Sequence, residues 1–490
     1  MKLIVRSAAV LLGLLLTLAA FLVVRTLTYQ SPAADHTEID LVSAPTVNIE
    51  QAAAHLSEAI RFRTITEQDD GAADMSQWDA MHEWLARTYP LVHANLRLEK
   101  VAGHTLIFTF EGSDKSLEPF VLMAHQDVVP VVESTVSQWK HPPFDGVIAD
   151  GAVWGRGSVD DKGSMIAILE SVESLLQSGF KPKRTLIIVN GHDEEGPHEG
   201  ATAAAAWFRD KGIKAEFVLD EGLVTITDFP LLKDRVALVG IAEKGYATLQ
   251  LTATGPGGHS SMPPEDTAVA TLAQAILAVA NNPDPMDITG PGAETLRVVA
   301  PYAPFLTRMA IANEWLFKPL LIDQVAATPA GAALLHTTMA PTMLRASPKE
   351  NVLPNSASAI INYRIIPGET TADVVERAQT GIGDLPVSIK LGKEAQDPSP
   401  ISSTTSEPWM IIAALASQKN SIPVAPGLVL AATDSYQLTT VANDVYRFQP
   451  IELSLSETSM IHGINENMTL DNLKRMIDFY GSLIATAGSR

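Results

Sequence analysis

The stretch RTLIIVNGHDEEG, residues 184–196, decides the fold. Leu186 to Val189 form an apolar run too short for a helix, and Gly191 closes it, so the segment reads as a buried strand. Two carboxylates, Glu194 and Glu195, follow at its end. A helical pattern, TAAAAWFRDKG, comes next and stops at Gly212. The same succession recurs on both sides. HTLIFTFEG (104–112) and PFVLMAH (119–125) are apolar runs of strand length, Gly163 to Gly179 is apolar at helical spacing, and AEFVLDEG (215–222) is a further strand. This alternation implies an α/β domain with a mixed, largely parallel sheet. Such sheets bind ligands in a crevice beyond the carboxyl ends of their strands. His125, Glu194, Glu195 and Glu221 all stand where predicted strands end.

Further out the pattern changes. GYATLQLTATG (245–255) and SASAIINYRIIPG (356–368) alternate apolar and polar residues, as half-exposed strands do. PVSIKLG (386–392) adds a strand, and Asp266 to Ala280 and Thr370 to Thr380 read as helices. Residues 244–392 are therefore expected to form an inserted α+β domain with an open antiparallel sheet. It would split a catalytic domain into 46–243 and 393–490. Helices are predicted around Ile49 to Phe62, Met75 to Tyr89, Trp409 to Gln418 and Leu470 to Ala485.

At the N-terminus, Lys2 and Arg6 precede an uncharged run from Ser7 to Val24, and Arg25 follows it. About 18 apolar residues suffice to cross a bilayer as a helix. Residues 1–26 are read as an uncleaved anchor, the alternative being a signal that is removed, and 27–45 as a linker. Positive charge ahead of the run puts the rest of the chain on the extracytoplasmic side. If the signal is cleaved, the protein is secreted.

The 490 residues are enough for more than one domain, and 46% hydrophobic against 19% charged is a globular composition. A net charge of −21 repels phosphate backbones, so no nucleic-acid partner is expected. The chain has no cysteine, so any zinc must be held by histidine and carboxylate.

The acids and histidines supply that set: His125, Asp127, Asp160, Glu194, Glu195, Glu221 and His462. Two imidazoles, several carboxylates and a spare carboxylate suit a two-zinc hydrolase with its own general base. In His125-Gln-Asp127, residues two apart on a strand point to one side. Asp127 can then fix the tautomer of His125 while the other ring nitrogen faces a metal. Asp160 precedes a helix. Asp161 is expected to cap that helix, leaving Asp160 to bridge. Two adjacent acids at the end of a buried strand repel one another unless a cation takes one, with the other free as a base. Arg364, in an otherwise apolar strand, needs a partner, either a structural carboxylate or that of a substrate. GPGG at 255–258 lacks the Lys-Ser/Thr of a phosphate loop, and no G-x-S-x-G elbow is present.

Together MAHQDVVPV, WGRGSVDDKG, GHDEEG, FVLDEG, GPGGHSSMP, NVLPNSASAIINYR and MIHGINE resemble the M20 metallopeptidase family, especially its carboxypeptidase S-like and N-acyl amino acid hydrolase members. The resemblance runs from about Asn48 to the C-terminus. It implies a zinc-exopeptidase-like fold with a ferredoxin-like lid or dimerisation domain, a homodimer, and two Zn2+ per subunit, with Co2+ or Mn2+ also fitting. By motif, His125 and Glu221 would hold one ion, His462 and Glu195 the other, and Asp160 both. Asp220 stands beside Glu221 as the other candidate. Glu194 would be the general base, Asp127 the residue orienting His125, and His259 a lid residue reaching a neighbouring subunit's site. Asn351 and Arg364 would bind substrate, and Thr433, Asp434 and Ser435 lie in a family loop without an assigned role. The implied reaction is hydrolysis of the amide next to a free C-terminal amino acid, with N-acyl amino acid deacylation as the alternative. An inactive membrane-tethered binding module is disfavoured, because every expected position is filled.

Overall fold

A computed structural model describes residues 2–32, 39–66, 74–418 and 421–490. In chain order, the strands of its two main sheets are β1 (Arg97–Val101), β2 (Thr105–Phe110), β3 (Phe120–His125), β4 (Leu186–Gly191), β5 (Ala215–Phe229), β6 (Asp234–Glu243), β7 (Gly245–Thr254), β8 (Thr338–Arg345), β9 (Ser356–Ile365), β10 (Val387–Leu391), β11 (Val424–Val429) and β12 (Ala442–Leu453). The larger sheet has eight strands in the order β1-β2-β4-β3-β5-β12-β6-β11. Its centre, β4-β3-β5-β12, is parallel, while the β2–β4 and β12–β6 pairings are antiparallel.

The apolar runs of β2, β3 and β4 are buried on both faces, which is why they show no alternation. Phe108, Leu122 and Ile188 face helices Ile49–Arg61, Lys162–Gln177 and Leu470–Gly488, whereas Ile107, Val121 and Ile187 face Glu199–Asp210. Each such side chain contributes roughly 1.5–3 kcal/mol relative to exposure. The sheet is thereby clamped between helical layers, and the ends of β3 and β4 become fixed points.

Residues 39–45, expected as linker, instead run along the last helix. Val42 N donates to Thr486 Oγ1 at 2.9 Å, and Ile39 and Val47 pack on the core. Residues 33–38 of the expected linker lie outside the described residues. The N-terminal run forms a helix, Lys2–Leu27, exposed along most of its length.

The smaller sheet, β8-β9-β7-β10, is antiparallel throughout. Strands and flanking helices follow one another as β7, helix Ala268–Ala280, β8, β9, helix Thr371–Ile382, β10. Ala247, Leu249 and Leu251 of β7 and Ala359 and Ile361 of β9 meet Leu272, Ala275, Val374 and Ala378 of these helices. The other face stays open, which is the origin of the alternation in sequence.

Between Ala280 and β8 the chain adds helices Gly290–Val299, Phe305–Ala312 and Glu314–Val325, which the sequence reading did not separate from the small domain. The first packs against β11 at the edge of the larger sheet, where Thr295 Oγ1 donates to Pro426 O at 2.5 Å.

Candidate metal centre

The cluster forms where the parallel strands end. β3 stops at His125, and the turn after β4 carries Glu194 and Glu195. Glu221 reaches the cluster by a different route from the one expected. β5 does not end there but continues to Phe229. Its register against β12 jumps from Arg447↔Asp220 to Phe448↔Leu223, so Glu221 and Gly222 form a bulge. Gly222 has φ +137°, and a Cβ there would meet Arg447 Cβ at 3.0 Å, so the bulge needs glycine.

Asp160 is the centre of the arrangement. Its Oδ1 lies 2.9 Å from His125 Nε2 and its Oδ2 3.0 Å from His462 Nε2. His462 Nε2 also lies 3.0 Å from Glu195 Oε1. Three sets of possible ligand atoms each fall within 4.8 Å: His125, Asp160 and Glu221; Asp160, Glu195 and His462; and His125, Glu194 and Glu195. The first two share Asp160. Oxygen and imidazole donors in this number and spacing fit divalent cations such as zinc.

Asp127 organises one side. His125 Nδ1 faces the Asp127 carbonyl at 3.1 Å and its carboxylate at 3.4 Å, which leaves Nε2 directed at Asp160. The Asp127 carboxylate also accepts from Thr66 Oγ1 at 2.6 Å and from the backbone N–H groups of Glu194 and Glu195 at 3.1 and 3.0 Å. One buried side chain therefore sets both the imidazole and the acidic turn.

Asp161 corrects an expectation. It occupies the N-cap position of Lys162–Gln177 but makes no side-chain capping bond. It is buried instead, and Oδ1 accepts from Gln449 Nε2 at 3.1 Å. Asp220 is likewise committed to structure: Oδ1 accepts from Glu221 N and Oδ2 from Ser435 N. Thr433 and Ser435 thus brace the bulge, and Asp434 Oδ1 contacts His198 Nδ1 at 2.9 Å. Gly191 lies against this loop, and a Cβ there would meet Asp434 Oδ2 at 2.2 Å and force that carboxylate to shift.

Two residues that the motif reading passed over hold the far side. Glu466 Oε1 accepts from the N–H groups of Val159 and Asp160, and its Oε2 lies 2.6 Å from Arg156 Nη1. Arg156 Nη2 donates to the carbonyls of His462 and Gly463 at 3.0 and 2.9 Å. The signal was present in WGRGS and HGINE, because a charge inside a closely packed turn requires a partner. A small ribbon of Val147–Ala149, Ala152–Trp154 and Asn467–Thr469 brings these segments side by side.

The electrostatics follow from crowding. Burial pushes the Glu194 carboxyl well above its usual range, with Asp434, Glu221 and Glu195 adding to the rise against the opposing His125. Burial does the same to Glu221, reinforced by Asp160 and Asp161. Hydrogen bonds with Asp160 and Glu195 raise His462 to about 10. For His125, burial works downward, but Asp127 and Asp160 outweigh it and hold the ring well above its ordinary value. Closely packed carboxylates of this kind are a site for positive charge.

His259, Asn351 and Arg364 stand apart from the cluster. His259 lies in a two-residue strand, Gly258–His259, paired with Val352–Leu353, and Ser260 N donates to Asn351 O at 3.1 Å. His259 and Asn351 are exposed, and His259 Nδ1 accepts from Ser261 N. Arg364 lies over the Tyr246 ring, 5.0 Å from its centroid, and no carboxylate pairs with it among the described residues. Of its two expected partners, the structural one is not found there.

The chain matches the model of peptidase family M20/M25/M40 over residues 121–486. It belongs to that family. The probable carboxypeptidase S-like 2 of Dictyostelium discoideum is 37% identical, over 99% of this chain and 93% of the relative. Human N-fatty-acyl-amino acid synthase/hydrolase PM20D1 is 34% identical, over 88% of this chain and 87% of the relative. Among solved structures, an M20 family metallo-carboxypeptidase from Sulfolobus solfataricus superposes with a TM-score of 0.64 at 17% identity, covering 89% of this chain and 98% of that one. The family member described here is an enzyme of the peptidase and amidohydrolase type.

Proposed function

We propose that this enzyme is a dinuclear zinc hydrolase that cleaves the amide bond next to a free C-terminal amino acid. The observation that carries the reading is Asp160, placed between two histidines and shared by two sets of ligand atoms. His125, Asp160 and Glu221 would hold one ion, and Asp160, Glu195 and His462 the other. Bound there, the ions would polarise the scissile carbonyl and lower the pKa of the attacking water. Co2+ and Mn2+ suit the same donors.

The chain's own groups supply the rest. Glu194 takes the proton of the attacking water and returns it to the leaving amine. Burial raises its pKa above the usual carboxylate range, the direction a group that both takes and returns a proton needs. Asp127 holds His125 through Nδ1. Arg364 and Asn351 bind the terminal carboxylate, and Arg364 has no internal carboxylate competing for it among the described residues. His259 donates to the carbonyl oxygen as charge develops there, from the small-sheet domain of a neighbouring subunit in a homodimer. The smaller sheet with helices Ala268–Ala280 and Thr371–Ile382 supports reading 244–392 as a ferredoxin-like lid and dimerisation unit, although its helix Gly290–Val299 packs on the larger sheet.

A second reading, deacylation of N-acyl and fatty-acyl amino acids, is favoured by the likeness to PM20D1 and uses the same machinery. In either case the helix Lys2–Leu27 would anchor the enzyme, with its catalytic part on the extracytoplasmic side.

The test is metal content together with hydrolysis of an N-blocked glycyl-amino acid, as free acid and as amide, and of an N-fatty-acyl amino acid. About two zinc ions per chain and cleavage of the free-acid peptide alone support the carboxypeptidase. Cleavage of the acyl amino acid without the peptide supports the deacylase. A metal-free, inactive protein overturns both.

A further inference from the structure

The helices between Ala280 and β8 carry an apolar surface that the chemistry at the cluster does not use. Tyr302, Phe305, Leu306, Trp315, Leu316 and Leu320 are between 40% and 71% exposed and belong to one short stretch of chain. Trp315, Leu316, Pro319 and Leu320 recur at helical spacing on a single face, which ends at the exposed Asp323. Nearby charges are turned aside: Glu314 pairs with Arg297 at 3.0 Å and Lys318 pairs with Asp287. Exposed apolar groups in this number mark a contact surface.

Its neighbour indicates what covers it. The N-terminal apolar helix docks on this unit and on no other part of the described fold through its own hydrogen bonds. Asn313 Nδ2 donates to Leu22 O at 3.3 Å and to Thr26 Oγ1 at 3.4 Å, and both residues are buried there. Just beyond the helix, Tyr29 OH donates to Arg297 O at 3.2 Å. The span Arg6–Leu27, with a mean hydropathy of 2.6, thus ends against helix Phe305–Ala312, the element that presents Phe305 and Leu306. Tyr302 and Trp315 are the residue types that favour the boundary between headgroups and acyl chains.

We infer that the face formed by Tyr302, Phe305, Leu306, Trp315, Leu316 and Leu320 rests in the outer surface of the lipid bilayer beside the N-terminal span, fixing the enzyme's orientation on the membrane. The inference rests on reading Lys2–Leu27 as an anchor. It adds a second, monotopic contact, in which the apolar face lies within the headgroup region.

The absence of cysteine permits a direct test on the full chain. Single variants Leu306→Cys, Leu320→Cys, Leu15→Cys and Ser388→Cys are spin-labelled and placed in phosphatidylcholine nanodiscs. Collision with oxygen, which concentrates in lipid, is compared with collision with a water-soluble nickel chelate. The expected result is a high oxygen-to-nickel ratio at positions 306 and 320, shifted towards that at 15 and away from that at 388. Labels at 306 and 320 behaving like that at 388, while 15 remains in lipid, would overturn the inference and leave the anchor standing. Low collision with both reagents at 306 and 320 would mean that a second copy of the chain covers the face, which also overturns it. A water-exposed label at 15 would remove the anchor reading and the inference with it.

Discussion

Arg156 and Glu466 form a buried ion pair that fastens the Asp160 segment of the candidate metal centre to its His462 segment. Glu466 holds the backbone of Asp160, and Arg156 holds the backbone of His462. Replacing Glu466 by Gln leaves Arg156 buried without its counter-charge. Breaking such a pair typically costs about 3–5 kcal/mol. Loss of comparable supporting contacts lowers metal affinity by roughly 10–100-fold. Zinc competition titration and calorimetry should show both losses in Glu466→Gln. Unchanged affinity would remove the bracing role.

Glu194→Ala should abolish turnover while largely preserving zinc content, because its carboxylate is the spare one in the proposed arrangement. Metal analysis beside a rate measurement decides this. Parallel loss of zinc and activity would make Glu194 a ligand and not a base.

Asp220 and Glu221 are adjacent but should behave differently. Glu221→Gln is expected to weaken metal binding, and Asp220→Asn to weaken the fold, since the Asp220 oxygens are occupied by the N–H groups of Glu221 and Ser435. Thermal unfolding with and without zinc separates the two. The reverse pattern would exchange their roles.

Arg364→Ala should raise KM for free-acid substrates by about 10–100-fold, the equivalent of the roughly 1.5–3 kcal/mol of a charged hydrogen bond. Discrimination against the C-terminal amide should fall in parallel. A change in kcat alone would place Arg364 outside carboxylate binding.

The metal-free protein should lose stability as pH rises from about 5 to 8. Glu194 and Glu221 have folded pKa values well above their unfolded ones, so their contribution is complete at low pH and disappears as they ionise. His462, raised to about 10, acts in the same direction above its ordinary value. Lys162 opposes them, because burial lowers its ammonium to about 7. Calorimetry of chelator-treated protein across this range tests the sign, and Glu194→Gln should flatten the slope. A Tm that climbs with pH would contradict it.

The elements that buried both faces were readable because their apolar runs have strand length: β2, β3 and β4 lie where HTLIFTFEG, PFVLMAH and RTLIIVNG indicated. The alternation of β7 and β9 likewise marked a sheet with one open face. The bulge at Glu221 and Gly222 was not readable, because a strand that expels two residues and resumes looks in sequence like a strand that stops. Asp161 showed the same difficulty: an acid before a helix is an ordinary cap by composition, and only the third dimension reveals Gln449 opposite it.

At the site, histidines and carboxylates announced themselves by residue type. Arg156 and Glu466 were signalled only by a charge within WGRGS and HGINE, since most of their partners are backbone groups that residue type does not name. The unit from Gly290 to Val325 escaped notice for another reason. Its first helix, Gly290–Val299, packs against β11, which lies more than a hundred residues further along the chain, and local periodicity carries no trace of that partner.

The position of β12 has a consequence for how the enzyme is made. β5 and β6 follow one another in the chain and pair near their turn, yet further along β12 wedges between them. A ribosome has therefore to deliver some two hundred additional residues before the gap between two neighbouring strands is filled. Until then the nascent sheet presents exposed edges suited to unwanted pairing. His462 emerges later still, so the proposed ligand set is assembled only after the strand that fills the gap has been made.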